Sequence, residues 1–448
     1  MMREVAATVW RTAPGFSRAV NLQVGLPLRW GGMGFRPLAE VAPAAFLGSW
    51  AQALPAVQRL IPGPPLLGSA APASPTLTRV QDAEQCWREL AARPTDDPVD
   101  WAAVVAEPTG LRRQQRILSQ AIDRQRRRLL QAAVSRQGWG RVQSCSGIWA
   151  GVWLTLPPTE HGLSFLDCEY AALARFRLGL PLDPEGGPCR HGGGGGRHPR
   201  GWYDPEGEHA AFCLSNSGTR TQRHNQLRDE LRRQLQWLGF WAETEQSDSR
   251  LMHRPDVRTF GFSLRNTFLE VTVTHPSERR SNVPRGALNA TSSSFVEAIW
   301  RIRLRTDYAG GPPQNAPFDL IPAMVSTYGG WHPAFAQWWR GAVRTAAERS
   351  GTQANPQSML WRTVGFLSVT LQRQQFQVLA GCAPTLADEV TGRLGNPLSE
   401  TPEFWRAAPE AAVDWSAEEL DLPPPPRLGE AEEDLVSTGL LRASGLRL

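Results

Sequence analysis

The chain has 448 residues, more than one typical core holds, and should divide into several units. All 48 of its Lys+Arg positions are arginine, so chemistry that needs a lysine amine, as base or Schiff-base former, is excluded. A net charge of +5 is compatible with a nucleic-acid partner, and no apolar run reaches bilayer-spanning length, because Pro, Arg and Gly interrupt each one.

The first residues, MMREVAATVWRTAPGF, lack the apolar core of a secretory signal. Residues 1–56 are expected to be helical around a turn at LPLRWGGMGFRP, where Gly31, Gly32 and Gly34 permit a tight reversal. EVAPAAFLGSWAQAL follows as an apolar helix, and residues 61–77, rich in Pro, Ala and Ser, as a linker. Residues 79–107 predict a short helix and a turn at RPTDDPVDW. Residues 111–137 predict a helix ended by Gly138, with Leu111, Leu118, Ala121, Ile122, Leu129 and Ala133 on one face. From Leu111 to Arg141 there are nine Arg against one Asp. Arg112, Arg113, Arg116, Arg124, Arg127 and Arg128 form either a solvated face or a set of phosphate-backbone contacts.

A helix from about Ser164 to Leu178 leads into the glycine-rich loop DPEGGPCRHGGGGGRHPRGWYDPEGEHAAFC. Residues 221–238 predict an amphipathic helix with Leu227, Leu231, Leu235 and Leu238 on one face, Thr221 as cap and Gly239 at its end. Two strands are expected next, at PDVRTFGF and NTFLEVTVTH. A helix follows at SSSFVEAIWRIRLRTDY, then strand, turn and helix within FDLIPAMVSTYGGWHPAFAQWWRGAVRTAAERS, then a helix over 357–379. The chain after about residue 400 carries PPPP and, from Ala408 to Asp434, nine acids against one Arg, which predicts a disordered tail.

Two constellations could carry chemistry. Asp256 begins one expected strand and Glu270 lies fourteen positions later inside the next. Paired at one end of a sheet, two carboxylates can hold Mg²⁺, which prefers hard oxygen ligands and can activate water for phosphodiester cleavage. The plain alternative is a turn aspartate and a strand glutamate. The preceding helix adds Arg223, His224, Asn225 and Glu230. Upstream, Cys189, His191, His209 and Cys213 could complete a Cys₂His₂ zinc site, with His198 a rival for the second position. The alternative there is free cysteines and exposed histidines. The six cysteines form no CxxC, which argues against a disulfide framework and suits a reducing compartment.

Other chemistries are absent from the sequence. GGGGG at 192–196 is not followed by GK[ST], and there is no G-x-S-x-G or H-E-x-x-H. The one Asp-Asp pair, Asp96-Asp97, lacks the apolar strand context of a polymerase, so no DNA synthesis is expected. WHPAFAQWW suits core packing better than base stacking.

The order Cys189, DPEGEHAAFC, RHN, RPD, EVTVTHP and FDLIP…YGGWHP resembles the C-terminal region of non-LTR retrotransposon polyproteins that carry a restriction-like endonuclease. GLPLRWGGMGFRPLAEVAPAAFLGSWA, residues 25–51, is similar to the segment that follows the reverse-transcriptase palm in that family. The resemblance spans most of residues 20–380. It implies a mixed α+β fold, a helical N-terminal part joined to an α/β domain of the PD-(D/E)xK type. The implied units are a post-polymerase (thumb-like) segment over 1–60, a linker and basic helical region over 61–184, a knuckle-like element over 185–217, the nuclease over 218–380 and a tail over 381–448. A zinc knuckle would precede a nuclease that nicks target DNA to prime reverse transcription, with DNA and element RNA as partners inside the nucleus. Asp256 and Glu270 match the metal-binding acids, and Arg223, His224 and Asn225 match the motif ahead of them. Glu230 would add a ligand, and His224 would position water or phosphate. Cys189, His209 and Cys213 match three knuckle ligands, while the second knuckle cysteine has no match. Thr272 stands where the signature carries lysine, so Arg301, Arg303 or Arg305 would supply the positive charge. The alternative function is a nucleic-acid-binding remnant that does not cut.

Overall fold

A computed structural model describes residues 9–10, 15–60, 75–91, 114–157, 162–183, 186–189, 202–213, 216–244, 255–261, 266–276, 292–307, 318–350, 354–383 and 386. The fold is mixed α+β, mostly helical, with a small four-stranded sheet. The linker expected after residue 60 and the acidic tail fall largely outside the described residues.

The N-terminal part is a helical cluster. α1 (Arg18–Gly25), capped by Ser17, leads through a 3-10 turn at Leu28–Trp30 to α2 (Leu38–Leu60). Gly31 has a φ of +83°, and a Cβ there would meet the Val142 carbonyl, so the expected reversal needs glycine for both reasons. α3 (Pro75–Ala91) and α4 (Gln114–Ala133) pack against α2. Their shared core holds Ala44, Leu47, Val80, Trp87, Leu118 and Ile122. The apolar face of α4 ends in Leu130, fully buried, while Leu129 is exposed. The expected face is therefore corrected at two residues: Leu118, Ile122 and Leu130 keep the helical period, Leu129 and Ala133 are exposed, and Leu111 lies outside the described residues. The boundary expected at residue 60 is also crossed, because α2 and α4 bury each other's apolar stripes.

α5 (Arg136–Cys145) and α6 (Asp167–Leu178) connect this cluster to the rest. Arg177 of α6 is fully buried. Its guanidinium donates to the carbonyls of Cys145 (3.0 Å), Ala150 (3.1 Å) and Gly32 (3.2 Å). Its own carbonyl accepts from Gln23 Nε2 at 3.1 Å and Arg141 Nη1 at 2.7 Å. A buried charge is tolerable only when its donors are satisfied this fully.

A two-residue hairpin, β1 (Gly187–Pro188) with β2 (Trp202–Tyr203), and the short α7 (Glu208–Phe212) form the Cys/His element. α8 (Ser217–Trp237) follows. It begins four residues before the expected Thr221 cap, which lies exposed in its second turn.

The sheet runs β3 (Trp241–Thr244), β4 (Val257–Phe260), β5 (Asn266–Thr274), β6 (Phe318–Ser326). The first three strands are an antiparallel meander, and β6 returns parallel to β5 through the crossover α9 (Ser292–Asp307). α10 (Pro333–Arg349) and α11 (Pro356–Cys382) complete the described chain. Leu227, Leu231 and Leu235 of α8 meet Val257, Leu269, Val271, Ala323 and Val325 of the sheet and Phe335, Trp339, Val364 and Leu367 of the last helices. Each such fully buried leucine contributes roughly 1.5–3 kcal/mol. The other face is covered by α9, whose Val296 and Ile299 pack on Met324. Successive strand residues point to opposite faces, so Leu269 and Val271 look into the main core and Glu270 and Thr272 look toward α9.

Candidate functional site

Asp256 sits where the chain turns into β4, just after buried Pro255. Its Oδ2 accepts from the Val271 amide at 2.7 Å, so the carboxylate lies against the backbone of the residue next to Glu270. Its Oδ1 pairs with Nε2 of His224 at 2.9 Å. The expected strand pair thus brings Asp256 and the Glu270 segment together, and α8 delivers His224 to them. The His224 side chain remains 32% exposed, so solvent reaches this end of the sheet.

Glu270 is buried in the middle of β5. Arg303 of α9 donates from Nη1 to Glu270 Oε1 and, at 2.6 Å, to Thr272 Oγ1. A guanidinium therefore reaches the two positions, Glu and Glu+2, where the strand itself carries no cation. Arg301 is exposed, and two residues at about 100° each turn it away from Arg303 around α9. The side chain of Arg305 lies outside the described residues.

Two other residues are placed differently from the expectation. Arg223 is buried and donates to Gln375 of α11, so it ties two helices together rather than facing a phosphate backbone. Glu230 is buried and bonded to Gln234 (2.6 Å) and Arg233 (2.6 Å) of its own helix. It sits six positions from His224, and six residues at about 100° each put it on another side of α8. Asn225 is half-buried.

The second cluster gathers three thiols. The sulfur atoms of Cys189, Cys213 and Cys382 lie within 4.8 Å of one another, all buried, and this group can hold a metal ion. Cys189 Sγ and Cys213 Sγ are 3.7 Å apart. The Cys213 thiol is drawn well below the usual thiol range, first by its hydrogen bond with Cys382 and then by those with His209 and Cys189, against the effect of burial. Pairing with Cys213 likewise raises the pKa of His209. His191 lies outside the described residues. Cys382 escaped sequence reasoning because no local spacing links it to the others.

The same holds for a buried network beside this cluster. His275 bonds Glu208 Oε2 through Nε2 at 2.8 Å and Thr327 Oγ1 through Nδ1 at 2.7 Å. Tyr328 donates to Glu208 Oε1 at 3.1 Å and stacks on Phe176 with ring centroids 4.7 Å apart. The only sequence signal was His275 directly after the alternating strand. The network fastens α7 to the end of the sheet.

On α4, Arg116, Arg124 and Arg128 are exposed. Arg127 is not part of that surface, since its guanidinium lies over Trp30 (5.9 Å) and Trp139 (5.5 Å). Arg112 and Arg113 lie outside the described residues. Neither a scan against protein-family models nor a search of curated proteins finds a match to this chain.

Proposed function

We propose that the chain is a fragment of a retrotransposon reverse-transcriptase polyprotein, lacking the polymerase site, whose α8–β3–β4–β5–α9–β6 unit is a restriction-like endonuclease that nicks DNA. The observation that carries this reading is the pairing of Asp256 with the β5 backbone beside Glu270, with His224 and Arg303 brought in from opposite layers. A helix ahead of the strands that carry Asp256 and Glu270, and another after them, support this reading. Asp256 and Glu270 are hard oxygen donors, fitting Mg²⁺ in kind, and Arg303 would have to release Glu270 to admit it. Bound there, Mg²⁺ would supply an activated water and neutralise charge on the phosphoryl oxygens. His224 holds Asp256 in place and is open enough to meet the attacking water or a phosphate. Arg303 contributes fixed positive charge to the developing phosphorane, without proton transfer, because guanidinium does not give up its proton. Target DNA and element RNA are the partners on this reading, met in the nucleus, with the exposed arginines of α4 as a backbone contact.

One observation favours a second reading. The Arg303–Glu270 ion pair already neutralises the acid that a nuclease reserves for its cation. On that reading the chain binds nucleic acid without cutting it. Conversion of supercoiled plasmid to open circles by the full chain separates the two. Nicking that needs Mg²⁺ or Mn²⁺, stops with EDTA and is lost in Asp256→Ala supports the nuclease. DNA retardation by folded protein without nicking supports the binding remnant.

A further inference from the structure

We propose that Cys189, Cys213 and Cys382 hold one tetrahedral zinc ion, with the third thiolate coming from the end of α11 and His209 as the fourth ligand. The site would then be a cross-link between the Cys/His element and the last helix, not a local knuckle. The inference does not depend on the nuclease reading.

The geometry carries it. Two thiolates bound at about 2.3 Å to one tetrahedral zinc stand about 3.8 Å apart. The Cys189 and Cys213 sulfurs are 3.7 Å apart, and Cys382 closes a triangle with every edge within 4.8 Å. A disulfide needs its sulfurs at about 2.05 Å, so this spacing suits a shared cation rather than a covalent bond. Three thiols converging in a buried space would otherwise place three weakly hydrogen-bonding groups against one another.

The donor set also has the right chemistry. His209 is hydrogen-bonded to Cys213 but stands outside the group of atoms within 4.8 Å of one another, so its imidazole, with Nε2 buried, would have to turn in to serve as the fourth ligand. Three soft thiolates and one imidazole, with no open position, make a structural zinc set rather than a catalytic one. Support for the new ligand comes from Asn216 at the start of α8. Its Nδ2 donates to Cys382 Sγ at 3.6 Å and to the Val378 carbonyl at 3.0 Å. N–H donors of this kind orient a metal-bound sulfur. Gly381 makes the approach possible, because a Cβ there would come within 3.1 Å of the Asn216 amide nitrogen. His191 is not needed to complete four ligands.

The test uses the full chain, its zinc content and its cobalt(II) spectrum. We expect about one zinc per chain. Cobalt substitution should give a tetrahedral visible spectrum and a thiolate-to-cobalt charge-transfer band with the intensity of three sulfurs. Cys382→Ser should cut that band to about two thirds or abolish metal binding, since one of three thiolates is gone. His191→Ala should leave metal content and spectrum unchanged. The wild-type band counts sulfurs by itself, so a Cys382 variant that fails to fold does not protect the proposal. A two-sulfur band in the wild type, metal loss in His191→Ala with full retention in Cys382→Ser, or a folded chain that neither carries nor takes up zinc would each overturn it.

Discussion

Arg303 decides how the acid pair behaves. Glu270 keeps 2% of its side-chain surface exposed, so most of the water that would stabilise its charge is gone. Arg303→Leu removes the guanidinium and is expected to cost roughly 3–5 kcal/mol, the usual penalty for breaking a buried ion pair from one side. Arg303→Lys keeps the charge, but its shorter side chain ends before the point where Nη1 meets both Glu270 and Thr272, and it should cost about 1 kcal/mol. Urea unfolding of the two variants checks this, and a leucine variant as stable as wild type would contradict it. Arg303 was recoverable from the sequence by periodicity. It lies on the 296, 299, 303 stripe with Val296 and Ile299, whereas 301 is turned by about 200° from it. A second residue gives a pH signature. His332 Nδ1 accepts from the Ala334 amide at 3.1 Å as the N-cap of α10, and burial holds its pKa down to about 4 from 6.5. The folded state then binds fewer protons than the unfolded chain between those values. Its contribution is full above pH 6.5 and is lost as pH falls toward 4, by on the order of 2 kcal/mol. Asp123, pushed up to about 6 by burial, acts in the opposite sense over that window. The comparison must therefore be between wild type and His332→Asn, which keeps a cap acceptor. Denaturant titrations at pH 7 and pH 5 should show a smaller acid loss in the variant, and identical losses would contradict the assignment.

At the scale of elements, α4 separates two kinds of arginine. Arg116, Arg124 and Arg128 reach solvent, while Arg126 is buried on Glu40 and Arg127 stacks on tryptophans. If the exposed three contact phosphates, reversing them to Glu should weaken DNA binding by at least about tenfold and flatten its salt dependence. Filter binding over a salt series measures both, and an unchanged slope would remove this helix from the interface. The helix and its basic face were legible because the 3.6-residue period and the arginine run coincide. Its burial pattern was less so, because Leu129 and Leu130 are equivalent until the neighbour's position is known. β4, β5, β6 and the helices around them were legible for the same reason of period. β3 was not, since four residues at a sheet edge, with Trp241 exposed, carry too little alternation to register.

The whole molecule is more interlocked than its sequence segments suggest. One core joins α6, the Cys/His element and α11 through Phe176, Tyr203, Cys213 and Leu379, across the boundaries expected at 184 and 217. Arg177 and Gln23 join the N-terminal cluster to it. These links run between residues far apart in the chain, which is why composition and spacing could not show them. Cys382 is the clearest case. Asp256 and Glu270 lie at the other extreme: they stand close in sequence, at the start of one strand and inside its antiparallel neighbour, which the strand pattern by itself places together. The central claim is that this pair cuts DNA. The measurement that tests it most directly is the plasmid nicking rate of wild type against Glu270→Gln, at saturating Mg²⁺ and equal DNA occupancy. The nuclease account predicts a drop of about 100-fold or more, because removing one carboxylate removes a metal ligand without changing the shape of the site. Equal rates in the two proteins, or no metal-dependent nicking by folded wild type that still binds DNA, would contradict it.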